Sequence, residues 1–340
     1  MSVEQRYLRS NYRGIRWIGA AVASVAGMAV SVACGAAQPA AQPYPIKPIR
    51  MIVPVTPGGS TDVTARIVCQ KMSEILGRPI VIDNRPGAGS IIGSEMVARA
   101  VPDGYTLLMA YATHITTPWL HRKVPYNTEQ DFTPVSLLAT QPIVLIVNTT
   151  VPVRSTKELI ALAKAQPGKL NYGLPSPGSA SHVGGETFKL LTGTNIVAIP
   201  YAGAAPAQQA LAGNEIQLMF ANIQTAITMV KIGKAVAIGV GTEKRSSYFP
   251  DVPTLAEQGL PTFEVEPWQG ILGPRHMPSA IMDALHRAAV QSVRSPDVTE
   301  KLLATGSTPV GSTPAEFGAR IKSQLRAWGD VITKSGMRGE

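Results

Sequence analysis

The chain has 340 residues, 45% of them hydrophobic, and 31 basic against 22 acidic side chains give it a net charge of +9. That length supports one large or two medium domains with a core of their own. The basic excess is dispersed, without a run of Lys and Arg interleaved with aromatics, which argues against a nucleic-acid partner. Two cysteines cannot supply a disulfide framework, and the five scattered histidines show no metal-ligand spacing.

Arg6, Arg9, Arg13 and Arg16 precede an apolar stretch from Trp17 to Val32 and then small residues, the pattern of a secretory leader. The stretch is short for a membrane span, which takes about 20 residues. Gly35-Ala36-Ala37 predicts cleavage near Ala37, making residues 1–37 a signal peptide, while Ser31-Val32-Ala33 before Cys34 offers an alternative, lipoprotein-type site. Removal of residues 1–37 takes away four Arg and one Glu and leaves a net charge of about +6. A periplasmic location is expected, with a mild positive field that favours anionic solutes. Cys69, within an apolar helical pattern, is expected to be a buried small hydrophobe.

From Pro48 onward short β-rich runs alternate with amphipathic helical patterns. Ile49–Val55 reads as a strand, followed by a glycine turn and a helix over Val63–Leu76. The strand Ile80–Ile82, the turn Asn84–Gly89, a helix over about Ser90–Ala100 and the strand Tyr105–Tyr111 follow. Such units predict a mostly parallel sheet with its turns at the strand C-terminal ends. The apolar run from Val135 to Asn148, interrupted at Gln141-Pro142, reads as a crossover into a second lobe. There Ser155 caps a helix, Lys169–Leu174 is a strand, and a Ser/Gly/Pro loop enters a helix over Ser181–Leu191. Strands at Ile196–Tyr201, Ile216–Phe220 and Ala235–Val240 alternate with helices at Ala204–Ala212 and Gln224–Ile232. A second apolar crossing runs from Phe263 to Leu272, and a helical tail from Ser279 returns to the first lobe. The expected domains are therefore residues 44–138 with 248–340 as a discontinuous first lobe, and 139–247 as the second.

Pro57-Gly58-Gly59-Ser60-Thr61-Asp62 follows a strand and opens a helix, so free N–H groups and hydroxyls would point at an approaching anion. Asp62 is expected to brace its own loop, since a carboxylate facing the site would repel an anion. Ser176-Pro177-Gly178-Ser179-Ala180-Ser181-His182 repeats the device in the second lobe, and two helix N-termini across a cleft would hold both ends of a diacid. Asn84, Thr113, His114, Tyr201, Gly203 and Asn222 lie on further turns able to reach the cleft. Catalytic sets are not evident: Ser181 and His182 are adjacent and diverge, and the Gly-x-Ser-x-Gly elbow is absent. No cofactor is expected.

Several short stretches, in their order and spacing, resemble the substrate-binding proteins of tripartite tricarboxylate transporters, often called the Bug family. They include Lys47-Pro48-Ile49-Arg50, Pro57-Gly58-Gly59 with Asp62, Asn84-Arg85-Pro86-Gly87-Ala88-Gly89, Pro102-Asp103-Gly104-Tyr105, Asp131-Phe132-Thr133-Pro134 and Phe249-Pro250-Asp251-Val252-Pro253-Thr254. The resemblance implies an α/β type II periplasmic-binding fold, two lobes joined by two hinge strands, and no enzymatic activity. It also implies a small di- or tricarboxylate or aromatic carboxylate ligand, delivery to membrane components of a tripartite transporter, and a monomeric receptor. The alternative readings are a receptor that presents its closed form to a sensor protein, and a hydrolase. Ala221 and Gln217 stand where many members carry Asp, a loss of negative charge that argues against an amino-acid ligand.

Overall fold

The computed structural model describes residues 44–337. The expected leader, its cleavage site near Ala37 and Cys34 lie outside the described residues. The first half of the chain supplies strands β1 (Ile49–Val53), β2 (Ile80–Asn84), β3 (Thr106–Tyr111) and β4 (Phe132–Thr140), with helices α1 (Ser60–Leu76), α2 (Ile91–Ala98) and α3 (Thr113–Leu120). The chain then enters β5 (Ile143–Asn148), α4 (Thr156–Ala165), β6 (Asn171–Leu174), α5 (Ala180–Thr192), β7 (Val197–Pro200), α6 (Ala204–Ala212), β8 (Leu218–Asn222), α7 (Ile223–Lys231) and β9 (Ala235–Val240). It returns through β10 (Trp268–Pro274) and finishes with α8 (Ser279–Arg294), α9 (Pro296–Ala304), β11 (Thr308–Pro309) and α10 (Pro314–Ser335).

These strands form two sheets, ordered β11-β4-β10-β3-β1-β2 and β7-β6-β8-β5-β9. β1, β2 and β3 pair in parallel, as do β6, β7 and β8. β10 runs antiparallel to both β3 and β4, and β5 runs antiparallel to both β8 and β9. In each sheet, then, the main strands share one direction, and the reversed interior strand is the one that has just crossed from the other lobe. Strands buried on both faces read as near-continuous apolar runs, which is why β1 and β5 were legible.

The two crossings lie side by side, and Gln141 N–H donates to Pro267 O at 2.9 Å. The segment from Tyr248 to Val265, assigned from sequence to the first lobe, lies largely against the second sheet. Thr254 bridges Val240, and the Phe263 ring stacks on Phe220 at 6.1 Å. The first sheet resumes at Trp268.

Helix ends follow local chemistry. Ser155 caps α4 by accepting from Glu158 N–H, and Thr313 with Glu316 forms a capping box at α10, where Pro314 takes the first turn. Thr113 and His114, placed on a turn by the sequence reading, open the helix α3, which carries Pro118 inside it. Proline lacks the N–H that would reach the His114 carbonyl one turn back, and Thr128 Oγ1 donates to that carbonyl instead at 3.4 Å. Cys69 is buried among α1, β1 and β3 residues, and burial pushes its thiol up to about 12. Trp268 is fully buried, edge-on to Phe317 at 5.1 Å, and donates Nε1–H to Gln324 Oε1 at 2.6 Å, tying α10 to the start of β10.

Candidate functional site

β1 delivers the chain to the turn before α1. Gly59 is the N-cap and has no side chain with which to cap the helix, so the first N–H groups of α1 stay available. Gly59, Ser60 and Thr61 line a cavity of about 240 Å³ between the lobes. Asp62 turns back into the loop. Its Oδ2 accepts from Gly58 N–H and Arg66 Nε, each at 2.9 Å, and its Oδ1 accepts from Asn84 Nδ2 at 2.9 Å. Burial alone would raise this carboxyl, but the bonds from Arg66, Gly58 and Asn84 outweigh it and hold it below the usual carboxylate range. Asn84 also donates to Val55 O at 3.1 Å, so it braces the turn and does not line the cavity. Pro57 is exposed, and Gly58 lines only an adjoining cleft.

The second lobe answers with the loop between β6 and α5. Ser179 caps α5 by accepting from His182 N–H, and its hydroxyl donates to Ser176 O at 2.7 Å. Ser176, Ser179, Ala180 and Ser181 line the same cavity as the start of α1. His182 lies off the cavity, where its Nδ1 accepts from Gly178 N–H at 3.2 Å. Burial holds this imidazole below its ordinary pKa, with Glu186 opposing and Lys189 reinforcing the shift. Gly178 O accepts from Thr116 Oγ1 at 3.1 Å, a hydrogen bond between the lobes. Asn222 lines the cavity and caps α7 through Oδ1, which accepts from Thr225 N–H at 2.9 Å. Tyr201 and Gly203 hold the β6–α5 loop by donating N–H to Leu174 O and Pro175 O, and neither lines the cavity.

Thr113 opens α3 on the cavity wall, with its hydroxyl donating to Ser90 at 3.1 Å. His114 points into the core of the first lobe, stacked on Tyr126 at 5.8 Å and edge-on to Phe132 at 4.7 Å. One residue along a helix turns about 100°, which separates the two neighbours onto different faces. Burial lowers the His114 pKa to about 3 and keeps the ring neutral.

The wall residues that sequence reasoning missed include Tyr111 at the end of β3, Gln141 between the crossing strands, Ile143 at the start of β5, and Trp268 and Gln269 at the start of β10. The crossings themselves were legible, but a strand end reveals its site role only once the other lobe faces it. The charge argument from position 217 does not apply at the site. Gln217 lies just before β8, whose far end carries Asn222, and it bonds Asn171 N–H and Asn214 O. Ala221 is packed in the core. The absence of charge at the site stands on other ground: no Asp, Glu, Lys, Arg or His lines this cavity among the described residues. An adjoining cleft of about 450 Å³ shares Gly59, Ser60, Gln141 and Asn222 with it and is likewise uncharged.

Two lobes with matching strand orders, joined by a double crossing and closed on an uncharged cavity, define a solute-binding receptor. Residues 64–337 match the family model of the tripartite tricarboxylate transporter family receptor. The chain is 36% identical over 317 residues to protein BugT of Bordetella pertussis, covering 93% of this chain and 97% of that one. A solved periplasmic transporter is 39% identical with a TM-score of 0.76, covering 87% of this chain and 99% of its own. MatC from Rhodopseudomonas palustris with bound malate is 31% identical, with a TM-score of 0.74 and coverage of 85% and 100%. An R. palustris protein solved with adipate is 33% identical, with a TM-score of 0.77 and coverage of 87% and 99%. The chain belongs to the tripartite tricarboxylate transporter receptor family, whose members are periplasmic solute-binding receptors and not enzymes.

Proposed function

We propose that the cleft captures a small carboxylate, a di- or tricarboxylate, between the lobes, and that the loaded receptor delivers it to the membrane components of a tripartite transporter. The observation that carries this reading is the meeting of the uncapped α1 start and the α5 start on one cavity without fixed charge. Helix N-termini attract anions through their free N–H groups and the positive end of the helix dipole. Tyr111, Ile143 and Trp268 form an apolar wall on which a hydrocarbon spacer or ring would rest. The adipate and malate complexes of the two R. palustris proteins support the same ligand class.

The test is a thermal-shift screen of the mature protein, freed of carried-over ligand, against di- and tricarboxylates, aromatic carboxylates, amino acids and neutral sugars. A ligand at 100 times its Kd stabilises by about 2.7 kcal/mol. Stabilisation confined to carboxylates is expected. Stabilisation by a sugar or a neutral amino acid, with none from any carboxylate, would overturn the reading.

A further inference from the structure

We infer that Gln141 makes one corner of the cavity a hydrogen-bond acceptor site that reads a hydroxyl on the bound carboxylate, so that the receptor separates hydroxy-acids from their deoxy counterparts. The inference rests on the carboxylate reading of this cavity and narrows the class of acid.

The orientation of Gln141 follows from a chain of hydroxyls. Thr305 Oγ1 gives its single proton to Leu302 O at 2.8 Å, so in the 3.3 Å contact between Thr305 and Ser307 the donor is Ser307. Ser307 Oγ then has no proton left for Gln141, and their 2.8 Å bond runs from Gln141 Nε2 to Ser307 Oγ. This fixes which end of the amide is engaged and leaves Oε1 turned away from Ser307. Gln141 is 4% exposed and lines the cavity, and among the described residues no donor bonds its Oε1.

Gln269 stands opposite Tyr111 in the β10–β3 ladder, is 3% exposed and lines the same cavity. Its Oε1 is buried without a hydrogen-bond partner. That oxygen is enclosed on all sides and out of reach of a ligand group in the cavity, so the acceptor that a ligand meets is Gln141 Oε1. Asn222 differs, because its Oδ1 is already taken by Thr225 N–H.

The cavity thus offers donors at the helix starts and an acceptor, Gln141 Oε1, between the crossing strands. A carboxylate brings only acceptors, which suits the first region and leaves the second unmatched. A hydroxyl brings a proton without charge. An ammonium would bring one too, but it would be desolvated with no carboxylate among the lining residues to compensate it.

The test is calorimetric titration of the mature, ligand-free protein with matched pairs: L-malate against succinate, citrate against tricarballylate, and mandelate against phenylacetate, with L-aspartate as the ammonium control. The hydroxylated member of the pair that fits is expected to bind at least about tenfold more tightly. Gln141→Met removes the acceptor at similar volume, and it should reduce that preference to about twofold. Gln141→Leu should act in the same direction, and a thermal melt of each variant guards against a local loss of folding. Equal binding of both members of each pair overturns the inference and leaves the carboxylate reading standing. A preference that survives both variants overturns the role of Gln141, and tighter binding of L-aspartate than of L-malate replaces the hydroxyl with an ammonium. Binding of none of these acids removes the inference and the carboxylate reading together.

Discussion

The carboxylate of Asp62 and the imidazole of His114 both stood out in the sequence beside glycine turns and strand ends, and both face away from the cleft. Asp62 accepts three hydrogen bonds within its own turn. Asp62→Ala removes the acceptor shared by three donors, of which Gly58 and Arg66 are exposed to water, and should lower stability by about 1–2 kcal/mol in urea denaturation. Because its folded pKa is depressed, the contribution of Asp62 is present above the unfolded carboxylate pKa and is lost as pH falls through the lower folded value. For His114 the unfolded imidazole takes a proton near pH 6.5 and the folded one near 3. Its burial is therefore without cost above about pH 6.5, and each pH unit below that removes up to about 1.4 kcal/mol of stability. His114→Phe keeps a ring between Tyr126 and Phe132 and removes the titration, so its melting temperature should fall less than that of the parent between pH 6.5 and pH 4. An equal fall in both proteins would place the acid sensitivity elsewhere. Sequence could flag both residues as polar groups near turns, but the direction of a side chain depends on helix phase, and the sequence reading put His114 on a turn, not in α3.

At the level of elements, the two loops that open α1 and α5 differ in what their glycines do. Gly59 has an ordinary φ of −72°, and an added Cβ would meet only Thr56 O, at 3.7 Å. Gly59→Val should leave stability within about 0.5 kcal/mol and weaken ligand binding, because its side chain would enter the space before the α1 amides. Unchanged affinity would remove this turn from the binding site. Gly178 has a φ of +73°, and a Cβ there would overlap Leu120 Cδ1 across the cleft. Gly178→Ala should therefore hinder lobe closure and weaken binding about tenfold or more, with little loss of melting temperature in the unliganded protein. Calorimetric titration beside a thermal melt separates the two effects. Both loops were legible because glycine, serine and a following amphipathic run mark a strand-to-helix turn. The facing walls at Tyr111, Gln141, Trp268 and Gln269 were not, since strand ends carry no signal for what another lobe places opposite them.

Across the whole molecule the main legible feature was the alternation of strands and helices, and the main hidden one was the exchange of interior strands. β10, which separates β3 from β4, comes from the chain's return, and β5, which separates β8 from β9, comes from its first half. A fragment ending at residue 140 lacks the strand that joins β3 to β4 and should fail to fold, which circular dichroism and proteolysis would detect; a stable, protease-resistant fragment would contradict this. The intact chain should unfold in one cooperative transition. The same exchange sets a timetable for synthesis. The first sheet cannot close until residue 274 has emerged, roughly four-fifths of the way along the chain, so β3 and β4 must wait unjoined through most of translation. A nascent chain that cannot finish folding remains threadable, and its topology alone makes it a ready passenger for any machinery that handles extended polypeptide.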